Sequence, residues 1–185
     1  MTSKKQQFQI YLPGLLKLLA ESLYSSKSVA VRELIQNAHD SCVRRKSEFK
    51  PRFYKPQIDI TPDISARTLT ITDNGSGLRE SEITEYLSTI GRSYTRQLGE
   101  NLAILSPQIA EQLIGQFGLG FLSAFLIAED ITLVTRSAEK GSPTLQWFST
   151  GDVHYEVKEV AEHPVGTQIT LKLKREAAFL LHDSR

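Results

Sequence analysis

A row of polar side chains is predicted on one face of a helix near the start of the chain. Between residues 28 and about 48, apolar residues recur at helical spacing. The other stripe consists of Glu33, Asn37, Asp40 and Arg44. A carboxylate can act as a general base, and an amide oxygen one turn later can bind a hard cation such as magnesium. A solvated helix face has the same appearance, so this stripe alone leaves both interpretations open.

A further carboxylate ends a predicted strand. Polar and apolar residues alternate in TLTITDNGSGL, residues 68–78, which places Asp73 on the same side as Leu69 and Ile71. A buried carboxylate is costly unless it meets donors, and the exocyclic amine of adenine is such a donor. Guanine has a carbonyl oxygen there, so two facing acceptors would cost about 1–3 kcal/mol. Thr167 is predicted on the buried face of another strand, from which its hydroxyl can help to bind adenine through a water molecule. A tight turn is the alternative, because Asp-Asn-Gly is common in turns.

The third signal is the glycine-rich stretch GQFGLGF, residues 115–121, which precedes a predicted helix over 121–129. Glycines let backbone amides approach a ligand closely, and a helix N-terminus favours an anion. The spacing differs from the dinucleotide fingerprint and from the Walker pattern, and turn glycines remain the alternative. Together, an acid for adenine, an amide for a metal, a base for water and a phosphate loop predict one nucleotide site.

The periodicity of the chain predicts an α+β fold. Residues 91–114 have no steady period and are a candidate lid. The predicted architecture is a two-layer sandwich, with a mixed, mostly antiparallel sheet covered on one face by helices. The predicted helices cover 14–24, 28–48, 80–90 and 121–129, and the predicted strands cover 57–63, 67–73, 130–137, 153–160 and 166–174.

Composition narrows the class of protein. The chain has 185 residues, a net charge of +1 and 40% hydrophobic residues, as expected for one soluble domain with a core. Its 22 basic and 21 acidic residues do not indicate nucleic-acid binding. The single cysteine, Cys42, excludes an internal disulfide framework and fits a reducing cytoplasm. The polar start does not predict a signal peptide, and the uncharged stretch 112–128 is too short and glycine-rich to span a membrane.

Five motifs resemble, in order and spacing, the N-terminal ATPase domain of heat-shock protein 90 chaperones of the bacterial HtpG type, and the resemblance runs from about Phe8 to Lys174. These chaperones share the Bergerat fold with DNA gyrase B, histidine kinases and MutL. The stretch GQFGLGF favours the chaperone branch over the other three. The motifs are YSSKSVAVRELIQNAHDS, DNGSGL, TIGRSYT, IGQFGLGFLSAFLIAE and GTQITLKL.

The resemblance implies a role for each matching residue. Glu33 matches the general base that polarises the attacking water, and Asn37 matches the magnesium-binding amide. Asp73 matches the acid that reads adenine, with Gly77 and Thr167 completing its water network. The other residues implied to lie at the nucleotide are Asp40, Arg44, Leu78, Arg92, Gly115, Gln116, Phe117, Gly118, Leu119, Gly120 and Phe121.

The resemblance also implies an activity. Residues 1–185 would form a nucleotide-binding domain that binds ATP, ADP and Mg²⁺ and couples closure of a lid, about 91–120, to the folding of client proteins. Middle and C-terminal domains of a longer chain would supply a catalytic arginine and a homodimer interface, so the isolated domain is expected to be weakly active. Tyr86 and Tyr94 depart from the family pattern, which keeps open a nucleotide-sensing scaffold without turnover. A gyrase- or kinase-type domain is a third possibility.

Overall fold

The computed structural model describes residues 27–84, 120–152 and 154–182, and their strands form one six-stranded sheet. Every neighbouring pair in this sheet is antiparallel, in the order β1-β2-β6-β3-β4-β5. The predicted α+β class with a mostly antiparallel sheet is confirmed. The strands are β1 (Ile58–Asp63), β2 (Thr68–Asp73), β3 (Ala128–Arg136), β4 (Thr144–Ser149), β5 (Glu156–Glu159) and β6 (Gly166–Leu173).

Within the described ranges, two α-helices lie beside this sheet. Helix α1 (Ser28–Arg44) continues into a π-helical turn (Arg45–Phe49), and helix α2 covers Gly120–Ile127. A helical segment begins at residue 80 and is described as far as 84. The predicted helix over 14–24 and the rest of the one predicted over 80–90 lie outside the described residues. Of the helices that are described, none is long and apolar enough to cross a membrane.

The core lies between these helices and one face of the sheet. Along β2, Leu69 and Ile71 are buried, whereas the threonines that alternate with them are half-buried. Helix α1 packs against both β2 and α2, and its own buried residues include Leu34 and Ala38. The alternation that predicted the strands therefore also identifies the face that the helices cover.

The strand order places the ends of three strands in one row. β6 lies between β2 and β3, and its residue Thr167 pairs with Asp73 on one side and with Thr135 on the other. All three side chains are buried, with 7% or less of each residue exposed. A carboxylate and two hydroxyls therefore meet at the helix-covered face of the sheet.

Some predicted boundaries differ from the structure. The helix predicted over 121–129 ends at Ile127, because Ala128 and Glu129 already belong to β3. Of the strand predicted over 153–160, the structure assigns Glu156–Glu159 to strand β5, and Val153 lies outside the described residues. Strand β4 and a 3₁₀ helix (Arg175–Leu181) were not predicted. The alternation of Leu145 and Trp147 in β4 was the signal available, but it is only a few residues long.

Candidate functional site

A cavity of about 170 Å³ opens between helix α1 and the sheet. Its polar lining includes Asn37, Asp40 and Arg44 from α1. Asp73 and Thr167 add polar groups from the ends of β2 and β6. The apolar lining is formed by Ala38, Ile71, Leu78, Ile83, Phe121, Leu133, Trp147 and Ile169. A mostly apolar cleft with a few convergent polar groups is typical of a small-molecule site.

The Asp73 carboxylate lies inside the fold, as the alternation predicts. Only 7% of the residue is exposed. Its Oδ1 accepts hydrogen bonds from the Ser41 hydroxyl at 3.1 Å and from the Gly75 N–H at 2.7 Å. Burial raises the pKa of Asp73 to about 6, although the Gly75 N–H and the Ser41 hydroxyl favour the ionised form. The side chain is thus a buried acceptor that faces the cavity.

Ligand-free protein should lose stability as Asp73 ionises. Its pKa of about 6 lies above the ordinary value of 3.8. Between these two pH values the folded state holds a proton that the unfolded state releases. The free energy of unfolding of the wild type relative to Asp73→Asn should therefore fall by on the order of 2–3 kcal/mol between about pH 4 and pH 7. Chemical denaturation of both proteins measures this difference, in which the other carboxylates cancel. A difference that stays flat or rises with pH contradicts the burial of this group.

Two threonine hydroxyls extend the polar end of the cavity. The hydroxyl oxygens of Thr167 and Thr135 lie 3.0 Å apart. Thr135 donates its proton to the Gly166 carbonyl at 3.0 Å and accepts a hydrogen bond from the Leu78 N–H at 2.9 Å. Thr167 then donates to Thr135, and its own oxygen keeps acceptor capacity for water or a ligand. Sequence reasoning missed Thr135, although the alternation in β3 places it on the same face as Leu133.

Two glycines let the DNGSGL loop pack closely against its surroundings. A Cβ at Gly75 would lie 2.2 Å from the Ser41 hydroxyl oxygen and 2.7 Å from Asp73 Oδ1. Gly77 has a φ of +62°, in the left-handed region, and a Cβ there would lie 1.9 Å from the Arg136 carbonyl oxygen. The loop therefore needs glycine at both positions to bring α1, β2 and β3 together.

Gly77→Ala should destabilise the protein more than Gly141→Ala. Gly141 also has a left-handed φ, +80°, but a Cβ there would meet nothing within 4 Å. The backbone conformation alone costs alanine about 1–2 kcal/mol at either position. We expect Gly77→Ala to cost about 3–5 kcal/mol because the clash with the backbone adds to this term. Chemical denaturation measures both values, and equal losses would show that the loop moves aside without cost.

The polar stripe of α1 only partly faces the cavity. Asn37 and Asp40 are exposed at its rim, and Asp40 accepts a hydrogen bond from Gln36 at 2.8 Å. Glu33 lies one turn before Asn37, is 18% exposed and has a carboxylate oxygen 3.8 Å from an Arg32 nitrogen. It is not among the residues that line the cavity. Over residues 27–84, 120–152 and 154–182 there is no cluster of three acidic, histidine or cysteine side chains that could hold a metal.

The predicted phosphate side of the site is only partly described. Phe121 lines the cavity at the start of α2, and its ring packs edge-on against Trp147 at a centroid distance of 5.3 Å. Gly120 is the first residue of α2. Outside the described residues lie Tyr86, Arg92, Tyr94, Gly115, Gln116, Phe117, Gly118 and Leu119.

Trp147 was missed by sequence reasoning because β4 was not predicted. It is the only tryptophan in the chain, it lines the cavity and it is 2% exposed. Among the described residues, none accepts a hydrogen bond from its indole N–H. A single tryptophan in the cavity wall provides an intrinsic fluorescence signal for ligand binding.

Comparison with known proteins identifies the family. Residues 24–176 match the family described as histidine kinase-, DNA gyrase B-, and HSP90-like ATPase. The chain belongs to this family. Membership in this HSP90-like ATPase family confirms the predicted fold class and the prediction of an ATPase domain.

Curated relatives lie in the chaperone branch of this ATPase family. The chain is 40% identical to the chaperone protein HtpG of Alcanivorax borkumensis, over 99% of this chain and 31% of that protein. It is 40% identical to HtpG of Shigella dysenteriae serotype 1 and 39% identical to HtpG of Escherichia coli K12, in each case over 96% of this chain and 30% of the relative. These identities confirm the resemblance to heat-shock protein 90 chaperones of the HtpG type that the motifs indicated. The chain spans less than a third of the length of these relatives.

Proposed function

We propose that the cavity binds the adenine of ATP and ADP, and that the chain is the ATP-hydrolysing domain of a heat-shock protein 90-like chaperone. The observation that carries this proposal is the buried Asp73 carboxylate in the cavity wall. The hydrogen bonds from the Ser41 hydroxyl and the Gly75 N–H both arrive at Oδ1. We assign the other oxygen, Oδ2, to the exocyclic amine of adenine.

The surroundings of Asp73 suit a purine. Leu78 and Ile71 supply apolar surface beside the carboxylate, and Leu133 and Ile169 supply it from β3 and β6. Aliphatic side chains can cover the flat faces of a base while the carboxylate fixes its edge. The acceptor capacity of Thr167 favours a water that bridges to a ring nitrogen or to the amine.

Asn37 is the residue that we propose as a magnesium ligand. Its amide is exposed at the rim of the cavity, beside the Asp40 carboxylate. Magnesium commonly takes one or two protein ligands and fills its remaining positions with water and phosphate oxygens, so this sparse donor set fits the ion. When bound, the ion would offset the negative charge of the phosphates.

Glu33 is the residue that we propose as the general base. It lies one helical turn before Asn37, so a carboxylate and the proposed metal ligand follow one another along α1. In phosphoryl transfer the protein contributes mainly positioning and charge stabilisation. Glu33 would orient the attacking water and accept its proton, while the adenine contacts hold the nucleotide in place.

The remaining contacts are proposed from the family resemblance. Arg92 and the glycine-rich stretch 115–121 would meet the phosphates, at a lid over about residues 91–120 that closes on the nucleotide. The relatives named above are chaperones three times the length of this chain or slightly more. We therefore propose client proteins as partners, further domains that supply a homodimer interface, and a cytoplasmic location.

Paired calorimetric titrations with ADP and GDP, each with magnesium, test this proposal. We expect ADP to bind and GDP to bind about 5- to 150-fold more weakly, because the guanine carbonyl faces the Asp73 carboxylate. Fluorescence of Trp147, the only tryptophan, provides an independent readout of the same titrations. Equal affinity for the two nucleotides, or binding of neither, would contradict the proposed function.

A further inference from the structure

The Arg44 guanidinium is almost fully engaged by the protein. Its Nε donates to the Ser76 hydroxyl at 2.7 Å. Its Nη2 donates to the Gly77 carbonyl at 2.6 Å and to Glu82 Oε2 at 3.3 Å. Its Nη1 donates to Glu82 Oε1 at 2.7 Å, which completes a two-point ion pair. Four of the five N–H groups of a guanidinium therefore already have acceptors.

Glu82 links this interaction to the segment that follows the loop. Its Oε2 also accepts the Arg79 N–H at 2.8 Å, at the start of the helical segment 80–84. Burial opposes ionisation of Glu82, but the Arg79 N–H and the Arg44 guanidinium outweigh it and lower its pKa. Arg44 and Glu82 thus hold α1, residues 76–77 and segment 80–84 in one arrangement.

The loop that Arg44 contacts, residues 76–77, belongs to the proposed adenine site. Ser76 N–H donates to the Ser41 carbonyl at 3.0 Å, and Ser41 in turn donates to Asp73. Leu78, directly after Gly77, lines the cavity and is fixed through its N–H to Thr135. A shift of residues 76–77 would therefore move both the environment of the carboxylate and the apolar wall beside it.

We propose that Arg44 is a positioning residue for adenine recognition, acting through Gly77 and Glu82, and that it is not a phosphate ligand. This inference rests on the proposed function. It replaces the direct nucleotide contact that the family resemblance implied for Arg44. A lysine could not take over the role, because one ammonium group cannot reproduce the planar fork that reaches Ser76, Gly77 and Glu82 together.

Two variants and two ligands test the proposal. Arg44→Lys keeps the positive charge and removes the fork, whereas Glu82→Gln keeps the shape of the acceptor and removes its charge. The ligands are adenosine, followed by ligand-detected NMR, and ADP with magnesium, followed by calorimetry. Each variant should weaken the binding of both ligands by the same factor, about 5- to 30-fold. The double variant should lose little more affinity than either single variant, because both substitutions remove the same interaction.

Other outcomes overturn the inference. If the variants lost affinity for ADP but bound adenosine like the wild type, Arg44 would be a phosphate ligand. A lower melting temperature with unchanged affinities of the folded protein would make the interaction merely structural. Glu82 is not among the residues that line the cavity, so Glu82→Gln decides the question if Arg44→Lys folds poorly. Failure of the wild type to bind ADP would instead refute the proposed function and, with it, this inference.

Discussion

Asp73→Asn should weaken ADP binding by at least about 30-fold, because either orientation of the asparagine amide leaves two donors facing each other. If the amide oxygen stays with the Ser41 hydroxyl and the Gly75 N–H, which lie 3.1 and 2.7 Å from Asp73 Oδ1, the NH₂ group faces the adenine amine. If the amide turns around, its NH₂ group faces the Gly75 N–H. Each unpaired buried group costs about 1–3 kcal/mol, and the loss of the negative charge adds to this. Calorimetry measures the change.

Asp59→Asn is the matched control for this variant. Asp59 is an exposed carboxylate on β1 that accepts a hydrogen bond from Gln57 at 2.7 Å, and it does not line the cavity. Its asparagine variant should bind ADP like the wild type. Asp73→Asn should also stay folded near neutral pH, because it removes a charge whose burial is unfavourable. A folded Asp73→Asn protein with wild-type ADP affinity would contradict adenine recognition by this carboxylate.

Glu33→Ala should lower ATP turnover by about 10²- to 10⁴-fold and change nucleotide affinity by no more than about twofold. A general base acts only in the transition state, and Glu33 is not among the residues that line the cavity. Steady-state turnover should be measured in a chain that carries the further domains proposed above, since the HtpG relative is about three times as long as this 185-residue chain. Nucleotide affinity can be measured on the 185-residue chain itself.

Glu48→Ala serves as the control for turnover. Glu48 is an exposed carboxylate in the π-helical turn after α1, outside the cavity lining, and its loss should leave hydrolysis unchanged. Normal hydrolysis by the Glu33→Ala protein would show that another group is the base. Nucleotide binding by the wild type without Glu33-dependent turnover would favour a nucleotide-sensing scaffold.

The polar residues at the base of the cavity were predictable because strand alternation is a local property. Asp73 is buried since it continues the inward series of Leu69 and Ile71, and Thr167 does so ahead of Ile169. Helical spacing likewise predicted that the polar stripe of Glu33, Asn37, Asp40 and Arg44 shares one face of α1. In both cases the side-chain direction follows from a few consecutive residues and needs no knowledge of distant contacts.

The remaining features depend on contacts between distant parts of the chain. Trp147 belongs to a six-residue strand whose register is set by pairing with β3, so its place in the cavity wall had no strong local signal. Thr135 gains its role from hydrogen bonds to Leu78 and Gly166, which are far from it in sequence. The engagement of Arg44 by Glu82 likewise joins residues 38 positions apart. Such networks are properties of the folded arrangement rather than of any motif.

A crystal structure of the complex with ADP and magnesium would show directly whether the Asp73 carboxylate binds adenine. We expect the adenine to lie within the cavity between α1 and the sheet, with its exocyclic amine about 2.7–3.2 Å from Asp73 Oδ2. We also expect the hydroxyl oxygen of Thr167 to lie on the same side of the adenine, within reach of a bridging water. An adenine bound elsewhere, or one whose amine meets another acceptor while the Asp73 carboxylate turns away, would contradict this expectation.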